Sequence, residues 1–274
     1  MKILIAADME GISGVVSWDH VDPAHAEYPR FRRLMTGDVN AAIRGAYDGG
    51  ADQVVVADGH SRGRNILVEE LDARAVLNTG SPSPLSMVQG CDAETGAAMF
   101  VGYHARVGSQ NGILDHTWSS STIGNVWLNG RLTGETGVNA AVCGHFGVPV
   151  IFVSGDQTVC AEAAELLGPI ETVVVKQASG RMAAECLSPE VAQHKIHEGA
   201  KLAVSRFRAG QAPPPLRIQT PVTLTLDLVS SDMADRLDLL QGARRLDGRQ
   251  VEIVAADMLV AYRLLRAAVT LARG

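Results

Sequence analysis

Short apolar runs, rich in Val and Ile, punctuate the chain, and segments with helical spacing fill the gaps between them. Lys2 to Ala7, Gln53 to Ala57, Ala97 to Val101, Asn125 to Leu128, Val150 to Ser154 and Thr172 to Lys176 each read as a strand, apolar enough to be covered on both faces. Phe31, Met35, Val39, Ile43 and Tyr47 recur near helical spacing, and Gly49-Gly50 supplies the stop signal. From Thr136 to Gly155 no Asp, Glu, Lys or Arg occurs, but Asn139, Gly144, His145, Gly147 and Pro149 interrupt the run. It therefore reads as helix, turn and strand instead of a membrane span. Strands alternating with helices predict an α/β fold with a largely parallel central sheet flanked by helices.

The pattern changes after Pro213-Pro214-Pro215, a triplet that fits neither a helix interior nor a central strand. Val222, Leu224, Leu226 and Leu228 alternate with Thr223, Thr225 and Asp227, the period of a half-buried strand. Val260, Leu264, Ala267 and Leu271 then give a helical stripe. The expected organisation is an α/β domain over residues 1–212 and a smaller C-terminal α+β lobe over 213–274.

Composition narrows the classes of partner. The 274 residues are 46% apolar and 20% charged, which is ordinary for a globular protein. A formal net charge of -6 and only 4% aromatics argue against nucleic acid, which needs basic surface and stacking platforms. Cys91, Cys143, Cys160 and Cys186 are widely spaced with no C-x-x-C pair, so they read as free thiols in a reducing compartment. Ile3 to Ala7 is too short an apolar region for a signal peptide, and the expectation is a cytoplasmic protein.

Candidate chemistry gathers just beyond the strands, where open parallel sheets bind their ligands. The first strand runs into Asp8-Met9-Glu10-Gly11, the second into Asp58-Gly59-His60-Ser61 and the third into Gly102-Tyr103-His104-Ala105. Taken singly, each reads as turn chemistry or as a hydrogen-bonded structural histidine. Together at one sheet edge, carboxylates and imidazoles form a donor set suited to zinc, manganese or cobalt. His116 lies in the long polar loop from Ala105 to Thr122, and Glu135 opens a helical pattern, where an acid also serves the helix dipole. Asp58 is a candidate partner for His60.

A competing pattern is Gly59-His60-Ser61-Arg62-Gly63, which fits the G-x-S-x-G nucleophile elbow of serine hydrolases. No HGGG-type segment precedes it, and no His occurs in the last 77 residues, where the triad base is expected. A third reading is a non-catalytic protein whose strand-end cluster holds a metal or ligand structurally. His197-Glu198 begins like a zincin motif, but Lys201 stands where the second His belongs.

The segments Ala7-Asp8-Met9-Glu10-Gly11-Ile12-Ser13-Gly14, Asp58-Gly59-His60-Ser61, Gly102-Tyr103-His104-Ala105 and Gly134-Glu135-Thr136-Gly137-Val138-Asn139-Ala140 together resemble the bacterial zinc-dependent D-aminopeptidase family. Val175-Lys176-Gln177 and Cys186-Leu187-Ser188-Pro189 extend the likeness, in the same order and with agreeing spacing. The resemblance implies an aminopeptidase acting on short peptides, including those with an N-terminal D-residue. It further implies two zinc ions per subunit, with Asp8 as the bridging carboxylate and Glu10, His60, His104 and Glu135 as the other metal ligands. His116 matches the family's catalytic histidine. A ring-forming homo-oligomer, often a decamer, belongs to the same implication. Ala6 stands where the family usually has Ser.

Overall fold

Burial on both faces decides the centre of the molecule. Ile3 through Ala7 are completely inaccessible, which requires a strand covered above and below by other elements. The computed structural model describes residues 1–274. Its strands are β1 (Lys2–Ala7), β2 (Gln53–Asp58), β3 (Ala75–Asn78), β4 (Thr95–Tyr103), β5 (Ile123–Leu128), β6 (Arg131–Thr133), β7 (Val150–Asp156), β8 (Glu171–Gly180), β9 (Ala183–Cys186), β10 (Val222–Leu228), β11 (Ala243–Arg245) and β12 (Gln250–Ala255). The helices are α1 (Trp18–Val21), α2 (Tyr28–Asp48), α3 (Glu135–His145), α4 (Gln157–Leu167), α5 (Pro189–Arg208), α6 (Ser231–Arg236) and α7 (Met258–Arg273).

Seven strands form one sheet in the order β3-β2-β1-β4-β7-β8-β9, parallel except for β9. The strand order reverses between β1 and β4, so the crevice beyond their carboxyl ends is the natural ligand site of such a sheet. Alternate residues of β1 divide between two cores. Ile3 and Ile5 pack with Met35, Val39 and Ile43 of α2 and Ile196 and Ala200 of α5, whereas Leu4 and Ala6 share a core with α3, α7 and the second sheet. This is the expected α/β architecture, with helices on both faces.

The second sheet, β11-β12-β10-β5-β6, is antiparallel. Its β5–β6 hairpin comes from the middle of the chain, so residues 213–274 do not build this sheet alone. Asn125 to Leu128, read from sequence as covered on both faces like the central strands, lies here with alternating burial. Four residues with Ile, Val and Leu nearby do not distinguish a two-sided strand from a one-sided one. The Gly49-Gly50 stop ends α2 as expected, with Gly50 at φ +103°.

Candidate metal centre

Asp8 is delivered by β1, His104 by β4 and His60 by the turn after β2, so three parallel strands open onto one point. Close approach of the backbones makes this possible. The Asp8 N–H donates to the Val101 carbonyl at 2.9 Å and the Gly11 N–H to the Gly102 carbonyl at 2.8 Å. A Cβ at Gly11 would collide with the Tyr103 carbonyl, and one at Gly102, which has φ +72°, would collide with the Asp8 carbonyl. The two glycines therefore belong to the site's architecture.

The segment carrying Glu10 is held from behind. Lys176 Nζ, completely buried in β8, donates to the carbonyls of Glu10 (2.6 Å), Ile12 (2.9 Å) and Val15 (2.6 Å). Asp38 accepts from the N–H and hydroxyl of Ser13, both at 2.9 Å, and burial raises its carboxyl to about 6. Asp58 does not touch the His60 imidazole. It accepts from the N–H groups of Asn65 and Ile66 and from the Asn65 amide, which in turn donates to the His60 carbonyl, and so fixes the turn on which His60 stands.

All six residues singled out from sequence meet. Asp8 presents Oδ1 to His60 Nδ1 and Oδ2 to His104 Nε2, each at 3.4 Å, the geometry of a carboxylate shared between two positions. Glu10 Oε2 lies 3.1 Å from His60 Nδ1, and its Oε1 lies 3.9 Å from His116 Nε2. Glu135 Oε1 stands 3.3 Å from His104 Nε2 and 3.7 Å from His116 Nε2, and accepts the Trp118 N–H at 2.7 Å. Two groups of three result, each with donor atoms mutually within 4.8 Å: Asp8, Glu10 and His60, and His104, His116 and Glu135.

Every imidazole is oriented by a backbone carbonyl. His60 Nε2 donates to Val21, His104 Nδ1 to Ala105 and His116 Nδ1 to Leu114, each at 2.9 Å. The opposite nitrogen of each ring is thereby left facing the carboxylates, where a cation would take the place of its proton, as metal-binding histidines require. His104 Nε2 is buried and has no hydrogen-bond partner, an orphan that a cation would satisfy. The residues present fit a metal pair.

Charge supports the same reading. Burial pushes the Asp8 carboxyl up, but the neighbouring His104 and His60 imidazoles outweigh it and hold it well below the ordinary carboxylate value. Glu10 is likewise lowered, against burial, chiefly by the charge of His60. Burial works against protonation of His60 and His104 too, yet Glu10 and Asp8 raise the first, and Glu135 and Asp8 the second, well above the usual imidazole value. No lysine or arginine nitrogen pairs with the three carboxylates. The cluster demands positive charge.

His116 differs from His104, on which its ring stacks at 4.0 Å. Of these two rings, His116 alone lines the cavity of about 510 Å³ that opens over the cluster. Its loop has no regular structure but is not a solvated one: Ile113 and Asp115 are tied to Asp156 and Arg181, and Ile113 to Thr117 are buried. Ser61 is exposed, with φ +52°. No imidazole is hydrogen-bonded to it, since the neighbouring His60 ring is engaged by Val21 and Glu10, and β2 leads into irregular turns instead of the helix an elbow requires. The serine triad is not assembled. Cys91, Cys143 and Cys160 are buried free thiols and Cys186 an exposed one, and His197 binds Asp48 and Glu198 far from the site.

Lys176 as the support of the Glu10 segment escapes chemical reading of the sequence. A lone Lys ending the apolar run Val173-Val174-Val175 is the available signal, since such a cation must find buried acceptors.

The sequence model of the D-aminopeptidase family matches residues 1–267. A D-aminopeptidase of Bacillus subtilis (strain 168) is 36% identical over 267 residues, covering 97% of this chain and 95% of its own. Among solved structures, the Zn-dependent D-aminopeptidase DppA from Bacillus subtilis, described as a self-compartmentalizing protease, superposes with a TM-score of 0.95 at 35% identity, covering 100% of this chain and 98% of that one.

Proposed function

The chain belongs to the D-aminopeptidase family, and on that premise we propose that it is a zinc-dependent aminopeptidase that releases N-terminal D-residues from short peptides. The observation that carries this reading is the enclosure of three carboxylates and three carbonyl-oriented imidazoles with no lysine or arginine to balance them. We assign Asp8, Glu10 and His60 to one ion and Asp8, His104 and Glu135 to the other, with Asp8 shared. Bound there, the ions supply Lewis acidity towards the scissile carbonyl and a water acidic enough to react at neutral pH.

The protein's own groups do the remaining work. Val21, Ala105 and Leu114 lock the three rings so that no imidazole must reorganise when substrate arrives. His116 Nε2, facing the cavity between Glu10 and Glu135, is placed to take a proton, to return it to the leaving amine, or to donate to a developing oxyanion. Stacking on His104 and edge contact with Trp18 hold that ring in place.

The assignment separates His116 from the ligands. His116→Ala is expected to keep both zinc equivalents while kcat falls by about 10²- to 10⁴-fold, and Asp8→Ala is expected to lose metal together with turnover. Parallel elemental analysis and peptide hydrolysis check both. Loss of zinc in His116→Ala would move that residue into the ligand set, and near-normal turnover would remove it from the mechanism.

No helix is long and apolar enough to cross a membrane. The buried free thiols support a cytoplasmic setting. The relative described as a self-compartmentalizing protease supports a homo-oligomer, for which a decamer is our reading. Sedimentation of the native protein at about ten times the 29.0 kDa chain mass is the corresponding expectation, and a monomer contradicts it.

A further inference from the structure

The cavity over the metal cluster has a second wall, built by an element with no metal-binding residue. Arg266, Val269, Thr270 and Arg273 of α7 stand at i, i+3, i+4 and i+7, one face of the helix, and all four line that cavity. Arg62, two residues beyond His60, joins them from the turn after β2. Three guanidinium groups thus share a chamber with the metal ligands.

These arginines lack acidic partners. Arg266 Nη1 donates to the Pro84 carbonyl at 2.8 Å and its guanidinium lies over the Tyr262 ring, which anchors the side chain and leaves its charge unpaired. The only carboxylates in the cavity wall are Asp8, Glu10 and Glu135, and these face the imidazoles. Once two dications occupy the cluster, its charge no longer needs balancing by arginine. Unpaired guanidinium groups opposite a cationic centre fit an anion carried by the substrate itself, and a guanidinium fork matches a carboxylate with two parallel hydrogen bonds.

We propose that the arginine wall, with Arg266 and Arg273 at its centre, receives the terminal α-carboxylate of the peptide whose amino end lies at the metals. Resting on the aminopeptidase reading above, this defines the substrate class as short peptides with a free carboxyl terminus. Longer chains and blocked carboxyl ends lose the contact. The C-terminal helix is thereby a specificity element.

The test uses the zinc-loaded enzyme with D-Ala-D-Ala and the same dipeptide as its C-terminal amide. The wild type is expected to favour the free acid in kcat/KM by on the order of 10- to 100-fold, mainly through KM. That preference is expected to collapse towards unity in Arg266→Ala and Arg273→Ala and to return in part with lysine at the same positions, zinc content staying at the wild-type level throughout. Equal use of acid and amide by the wild type, or a preference that survives the double alanine variant, overturns the inference while leaving the peptidase intact. Cleavage of neither substrate by zinc-loaded wild type overturns the peptidase reading and this one with it.

Discussion

Lys176 makes the most demanding single contact in the molecule. Its ammonium spends all three protons on carbonyls of the segment that carries Glu10, and burial pushes its pKa down to about 8. Lys176→Met keeps the apolar stem but leaves three buried carbonyls without donors, a loss of about 1–3 kcal/mol for each group that water cannot reach. Loosened zinc binding, read by chelator competition, is the expected result, and wild-type affinity in that variant contradicts the supporting role. The pH dependence follows from the sign of the shift. The folded-state pKa lies below the unfolded value of 10.5, so between about pH 8 and 10.5 the unfolded chain binds more protons. The urea midpoint of wild type relative to Lys176→Met should therefore rise across that window. The clustering of Asp8, His60 and His104 was legible in sequence because each follows a readable strand. Lys176 could be quoted as part of a motif but not given a task, since nothing local says which segment will wrap around it.

Among the elements, β1 and β4 matter most because the site lies where their carboxyl ends diverge. Gly102 permits that junction, and Gly102→Ala would both strain a left-handed backbone and drive a methyl into the Asp8 carbonyl. A destabilisation of about 2–4 kcal/mol is expected, with reduced activity, because relief of the clash separates Asp8 from His104. Thermal unfolding and zinc-saturated turnover measure the two effects, and an unaffected Gly102→Ala enzyme would show that the backbones need not touch. The strands that set this junction were readable because two-sided burial writes continuous apolar runs such as Ile3 to Ala7 and Val54 to Ala57. Short edge strands were not. Ala75–Asn78 is half-buried and Ala183–Cys186 mostly exposed, so both carry little pattern, and Asn125 to Leu128 resembled a central strand until the pairing of β5 with β6 and β10 placed it in the second sheet.

At the scale of the whole molecule, the segment after Pro215 does more than its sequence discloses. No residue cluster there suggests chemistry, yet α7 packs against β10 and β12 on one side and lends four residues to the cavity on another. Such a contribution is a tertiary product: Arg266 and Arg273 share a cavity with Asp8, Glu10, His60 and Glu135 only after two sheets have folded around α3 and α7. The same dependence means that the active cavity needs both sheets, and removal of residues 213–274 would expose the apolar faces of β5 and α3. A cavity lined by three carboxylates and by imidazoles is expected to work through bound metal. The most direct measurement is elemental analysis of the purified protein, paired with hydrolysis of D-Ala-D-Ala and L-Ala-L-Ala before chelation, after it and after zinc is restored. About two zinc equivalents per chain, cleavage of the D-dipeptide, abolition by the chelator and recovery with zinc are expected. Hydrolysis that persists in metal-free protein, or two bound zinc ions with no cleavage of either dipeptide, would contradict it.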